Sequence, residues 1–162
     1  MMTRQAITPC LWLDGRAEEA AEFYVSLFPE SRIDDVVKSP LETPGASTGS
    51  ALLVEFTLAG QRYWALNGKP HEPFNDAISL AVTCRDQTEV DRLWDALTAD
   101  GGKPVQCGWL KDKFGVSWQI VPEAMVDMIK DRDREKAGRT LEAMLGMTKI
   151  DIAILQAAYD GR

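Results

Sequence analysis

Few side chains in this chain have the type and spacing to do chemistry. The one histidine, His71, sits in Gly68-Lys69-Pro70-His71-Glu72-Pro73, a turn-forming run. A single imidazole cannot build a catalytic metal centre, which takes about three protein ligands. It is either a solvated loop side chain or a general base. Cys10, Cys84 and Cys107 fall in strand-like runs beside apolar residues. No cluster of basic residues is evident to stabilise a thiolate, so inert buried thiols are expected, with Cys10 the most open to reaction. Leu52, Val54 and Phe56 alternate with Leu53, Glu55 and Thr57, which sets Glu55 on the side of its strand away from the apolar series. There it either works as a general acid or base or pairs with an arginine such as Arg62 across a hairpin. Among the five tryptophans, Trp94 and Trp118 read as core. Trp12 and Trp109 could line a ligand cavity, since an indole offers a large apolar face and one donor.

The elements that must position these residues follow from periodicity. Ala17, Ala20, Ala21, Tyr24, Leu27 and Phe28 draw one apolar helical stripe, closed by Pro29. Val90, Leu93, Trp94 and Leu97 draw a second, closed by Gly101-Gly102. Strand-like runs at 7–13 and 78–83 precede the helices, and runs at 32–38, 52–58 and 62–66, then 104–110 and 116–121, follow them. Phe23, Tyr24 and Leu27 fall 70 positions before Leu93, Trp94 and Leu97, while Ile7 falls 71 before Ile78. The chain thus reads as an internal repeat of strand–helix–strand–strand–strand, one residue apart in register. The fold class expected is α+β: a single domain over 1–162, with a first βαβββ module at 5–70, a second at 75–122 and a helical extension at 123–162. In that extension Thr148 and Asp151 resemble a capping box before Ile152. The run 130–136 reads as a solvated mixed-charge face, and 39–50, rich in Pro, Gly, Ser and Thr, as a surface loop or a mobile lid.

Composition bounds the function. The 162 residues are 45% hydrophobic and 27% charged, an ordinary globular balance. Eighteen basic against 25 acidic residues give a net charge of −7, which argues against a nucleic-acid surface. No long apolar run offers a membrane span, and no apolar stretch before Asp14 reads as a signal peptide. Three cysteines suggest a reducing cytoplasm rather than a disulfide framework.

Three motifs carry a resemblance. Ala65-Leu66-Asn67-Gly68, Phe74-Asn75-Asp76-Ala77-Ile78-Ser79 and the run from Gln106-Cys107-Gly108-Trp109 through Lys111-Asp112-Lys113-Phe114-Gly115 to Val121-Pro122 resemble the PhnB-like family of the vicinal oxygen chelate superfamily. So does the tail around Met144-Leu145-Gly146-Met147-Thr148-Lys149-Ile150-Asp151; Lys69 stands where the family usually has a second glycine. The resemblance implies sheets curled around a cavity with helices outside. Val54, Phe56, Ile78, Leu80, Trp118 and Ile120 should then face helices, while Thr8, Cys10, Trp12, Glu55, Ser79, Ser117 and Gln119 face the cavity. Burial of Glu55 there would raise its pKa. Metal-dependent relatives carry His or Glu at positions that correspond here to Thr8, Ala65, Ser79 and Gln119, none an imidazole or carboxylate. Some members are labelled demethylubiquinone methyltransferases, yet none of the 12 glycines forms the Gly-x-Gly turn of the usual methyl-donor fold. The expectation is therefore a small-molecule binding protein or enzyme with no metal and no cofactor, cytoplasmic and homodimeric. Its ligand would be held by Thr8, Trp12, Ser79, Trp109 and Gln119, with Glu55 as the catalytic candidate. The alternatives are a metal-dependent lyase or dioxygenase and a non-enzymatic interaction protein.

Overall fold

A computed structural model describes residues 6–70 and 72–162 of the chain. It divides into two compact units, one ending at Pro73 and the other running from Phe74 to Arg162.

The first unit is a βαβββ module: β1 (Cys10–Leu13), α1 (Ala17–Leu27), β2 (Arg32–Lys38), β3 (Ala51–Leu58) and β4 (Gln61–Asn67). Its sheet order is β1-β4-β3-β2, with β1 parallel to β4 and the other pairs antiparallel. The helical stripe lies where periodicity puts it, and Ala17, Ala20, Ala21 and Tyr24 are buried against the sheet. Tyr24 stacks on Phe56, which stacks on Tyr63 at 5.5 Å between ring centroids. Register puts Leu11, Val54 and Ala65 in one row on this covered face. Arg16, at the helix start, offers no side-chain cap. Asn67, from the end of β4, takes over: its Oδ1 accepts from Ala17 N at 2.9 Å, and its Nδ2 donates to Ala51 O at 2.9 Å. That gives one orphan N–H at the helix start an acceptor, a service worth about 1 kcal/mol.

The second unit repeats the order with β5 (Leu80–Cys84), α2 (Gln87–Thr98), β6 (Lys103–Pro104), β7 (Trp109–Lys111) and β8 (Ser117–Pro122), in sheet order β5-β8-β7-β6. Asp86 caps α2 through Glu89 N at 2.9 Å. Val90, Leu93, Trp94 and Leu97 are buried, as are Leu110, Trp118 and Ile120 on the facing side of the sheet. Two expectations need correction. The strand over 104–110 is broken by a turn in which Cys107 and Gly108 both adopt positive φ, 60° and 80°. Ile78 precedes β5 and is 74% exposed instead of facing a helix.

Three helices follow: α3 (Glu123–Lys130), α4 (Arg134–Leu145) and α5 (Ile152–Asp160). They close on Met125, Met128, Ile150 and Leu155. Asp151 alone caps α5, through Ile154 N at 3.0 Å. Thr148 is no cap; its carbonyl accepts from Gly108 N. Ile154 is 55% exposed.

The 39–50 segment is a closed surface loop. Ser39 N donates to Ser50 O, Gly49 N to Ser39 O and Thr43 N to Ala46 O, while Ser39 and Ala46 are buried. Beside it a polar cleft of about 350 Å³ is bordered by Asp14, Glu18, Thr43 and Asn67. Glu18 is paired there with Lys38 at 3.0 Å.

Candidate functional site

Each sheet has one face under a helix and one that the helix does not cover. On the uncovered face of the second sheet, Ala81, Gln119 and Trp109 stand in one row across β5, β8 and β7. Ser79 lies just before β5, and Gln119 Nε2 donates to its Oγ at 2.9 Å. Ser79, Trp109 and Gln119 are each half-buried, and Ala81 and Thr83 are exposed. The amide has spent one donor on the hydroxyl. That fixes the carboxamide in place and leaves a serine hydroxyl proton to give, beside an indole face. This surface can hold a flat, partly apolar molecule that accepts a hydrogen bond.

Ser117, expected to face the cavity, is 1% exposed and occupied: it donates to Asp76 Oδ1 at 3.0 Å. Asp76 also holds Lys111 at 2.9 Å, and these two contacts keep its carboxyl below the usual range. Below them, Asp112 is buried and organises the turn into β8. Its Oδ1 accepts from Phe114 N and Val116 N, and its Oδ2 accepts from Trp118 Nε1 at 2.8 Å. The Asp112–Gly115 stretch of the motif is therefore structural.

The uncovered face of the first sheet carries Cys10, Trp64 and Glu55 in one row, with Trp12, Leu66 and Leu53 in the next. Trp12 is 41% exposed, and Thr8 lies just before β1, half-buried. Glu55 is not in neutral surroundings: Arg62 Nη2 reaches its carboxylate at 3.6 Å across the hairpin. Thr57, placed by alternation beside Glu55, is buried and donates to Asp34 at 2.6 Å. Sequence reasoning left Trp64 unassigned. Its Nε1 is buried without a hydrogen-bond partner, a cost of about 1–3 kcal/mol. The available signal was its alternation with Tyr63 and Ala65 along β4, the residues that register with Phe56 and Val54.

The side chains at the four positions implied for a metal are a poor donor set in each unit taken by itself. Ala65 is fully buried on the α1-covered face, in register with Val54 and Leu11, so it belongs to the core. Trp64, not Ala65, shares the uncovered face. The Ser79 hydroxyl and Gln119 amide are neutral and hydrogen-bonded to each other. Among the described residues, no group of three or more His, Cys, Asp or Glu is placed to hold an ion. These residues do not fit a catalytic divalent metal, which needs imidazole, thiolate or carboxylate ligands.

The cysteines are all free. Cys84 is buried, and desolvation pushes its thiol up to about 11. Cys10 is exposed on the uncovered face, yet partial desolvation of its thiol still raises its pKa, which disfavours the nucleophilic thiolate. Cys107 lies in the positive-φ turn before Trp109. His71 lies outside the described residues.

Comparison with known proteins agrees with this architecture. The family described as 3-demethylubiquinone-9 3-methyltransferase matches residues 5–121. A solved structure from Bacillus cereus, described as a putative 3-demethylubiquinone-9 3-methyltransferase, PhnB protein, is 35% identical. It covers 73% of this chain and 99% of its own, with a TM-score of 0.66. A protein from Pseudomonas aeruginosa shares the fold at 20% identity, covering 74% of this chain and 98% of its own, with a TM-score of 0.62. No curated protein matches.

Proposed function

The chain belongs to the 3-demethylubiquinone-9 3-methyltransferase family, the PhnB-like group, and on that premise we propose that it binds or transforms a small molecule on the uncovered faces of its sheets. The observation that carries the reading is the fixed Gln119–Ser79 hydrogen bond beside Trp109. The ligand stacks on the Trp109 indole, accepts a proton from Ser79 and donates to the Gln119 carboxamide oxygen. On the first sheet, Trp12 supplies apolar surface and Thr8 a hydroxyl. Glu55, held by Arg62, serves as a charged contact or, once the pair opens, as the acid or base.

Methyl transfer is not what these residues support, because the chain has no Gly-x-Gly turn to seat a methyl donor. The protein works as a homodimer. Support comes from apolar side chains left outside on the first sheet, Trp12 at 41% and Val37 at 40% exposure. Free cysteines support a reducing cytoplasm, and no described helix is long and apolar enough to cross a membrane.

The test is a thermal-shift screen of metabolites against the intact protein and its Ser79→Ala and Gln119→Leu variants. Hits that lose their shift in both variants support the reading; hits unaffected by either overturn it. Elemental analysis of protein purified without chelator belongs beside it. Stoichiometric nickel, zinc, iron or manganese would replace this reading with a metal-dependent lyase or dioxygenase.

A further inference from the structure

The family match ends at residue 121, and the Bacillus cereus structure spans 99% of its own length on 73% of this chain. The helices α3 to α5 therefore lie beyond the match. The link between two of them reaches back to the second sheet at one place. Cys107 N donates to Met147 O and Gly108 N to Thr148 O, both at 2.8 Å. On its other side, Gly108 O accepts from Ile120 N of β8 at 2.8 Å. Residues 107–108 are thus clamped between β8 and the 147–148 segment, immediately before Trp109.

The turn closes on its own bond from Trp109 N to Gln106 O at 3.1 Å, but its backbone is costly at one position. Two consecutive residues have positive φ, and Cys107 is not a glycine. Side-chain space is closed as well: a Cβ at Gly108 would lie 2.8 Å from Ile120 O and 3.0 Å from Ile150 Cγ1. Ile150 is 1% exposed and wedges against this point. The segment is itself anchored to α2. Gln87 Nε2 donates to Ile150 O at 3.1 Å, Gln87 Oε1 accepts from Ile152 N at 2.9 Å, and Lys149 pairs with Asp91 at 2.7 Å.

We infer that the 147–150 segment of the C-terminal extension is a positioning element for the binding face, holding Trp109 in place through the 107–108 turn. Gln87 and Ile150 are its positioning residues: they act through the turn and touch no ligand. The inference rests on the reading of Trp109 as a ligand contact, but its physical core, that the extension sets the Trp109 indole, is testable without a ligand.

The experiment uses the full chain labelled with fluorotryptophan and read by fluorine NMR, with resonances assigned by single tryptophan replacements. Gln87→Ala removes the anchor, Ile150→Ala removes the wedge and Ile150→Val keeps most of it. The Trp109 line should shift or split in Gln87→Ala and Ile150→Ala and stay in place in Ile150→Val. The Trp12 and Trp64 lines, on the other sheet, should not move. A Trp109 line unchanged in folded Gln87→Ala, with only a lower Tm, would overturn the inference and leave the extension a mere stabiliser. Gln87→Ala decides the matter if Ile150→Ala does not fold. A screen hit whose affinity falls severalfold in Gln87→Ala joins the two readings. Equal affinity despite a displaced Trp109 line sinks Trp109 as a ligand contact and spares the positioning role.

Discussion

Asp112 and Gln119 stand seven residues apart and do opposite things with their polar atoms. Asp112 is sealed in and fully engaged, with two backbone donors and the Trp118 indole on one carboxylate. Asp112→Ala should cost about 2–4 kcal/mol in denaturant unfolding, because it strands two buried donors and a part-buried one; a loss below about 0.5 kcal/mol would contradict that role. Gln119 keeps part of its surface open, so its replacement should affect ligand far more than fold. Alternation in the sequence separated Gln119 and Ser79 from Trp118 and Ile120 correctly, since a two-residue period fixes which side chains share a face. The position carried over by resemblance at Ala65 does not share that kind of face: Ala65 follows Trp64 as Gln119 follows Trp118, yet Ala65 lies under α1 and Trp64 on the uncovered side. A one-residue slip between repeats exchanges the two faces. Arg62 was foreseen as one partner for Glu55 and is the one found. The hub role of Asp112 was hidden, since a buried carboxylate in a charged run looks solvated.

At the scale of elements, the helices and most strands were legible because their apolar stripes are complete. The broken 104–110 strand was not, because its turn puts a non-glycine, Cys107, at positive φ and is held as well by partners some 40 residues later, at 147–148. Loop 39–50 docks through glycine. A Cβ at Gly45 would sit 2.1 Å from the Gly68 Cα, whereas one at Gly68 would meet the Trp12 indole at 1.9 Å. Backbone cannot yield but a 41% exposed indole can, so Gly45→Ala should cost about 2–3 kcal/mol and Gly68→Ala about 1 kcal/mol. Equal losses in denaturant titrations would contradict this, and Gly68→Ala should also alter tryptophan fluorescence. The C-terminal helices are pinned by a hydrogen bond from Tyr159 Oη to Asp131. It holds the Asp131 carboxyl below its ordinary range and raises the Tyr159 phenol. A depressed carboxyl contributes stability above its unfolded value of about 3.9 and loses it as pH falls through the lower native value. A raised phenol contributes below about 10 and loses it as pH rises through the higher native value. Tyr159→Phe should therefore shrink the loss of stability as pH falls below about 4; an unchanged acid slope would show that the pair contributes nothing.

At the scale of the molecule, two βαβββ units carry the same order of elements, and each leaves one sheet face outside its helix. Light scattering at micromolar concentration should give twice the chain mass, and a monomer mass would remove the homodimer proposal. The repeat was legible from two helical stripes and their offset. The identity of the ligand was not, because neutral hydroxyl, amide and indole groups recognise shape and hydrogen-bond pattern instead of one functional group. The most direct test is to titrate the isotope-labelled protein with a compound from the metabolite screen and follow side-chain resonances. The account predicts that the Gln119 side-chain amide and the Trp109 indole move first and saturate together. Saturation with both unmoved, and shifts confined to α3 to α5, would contradict it.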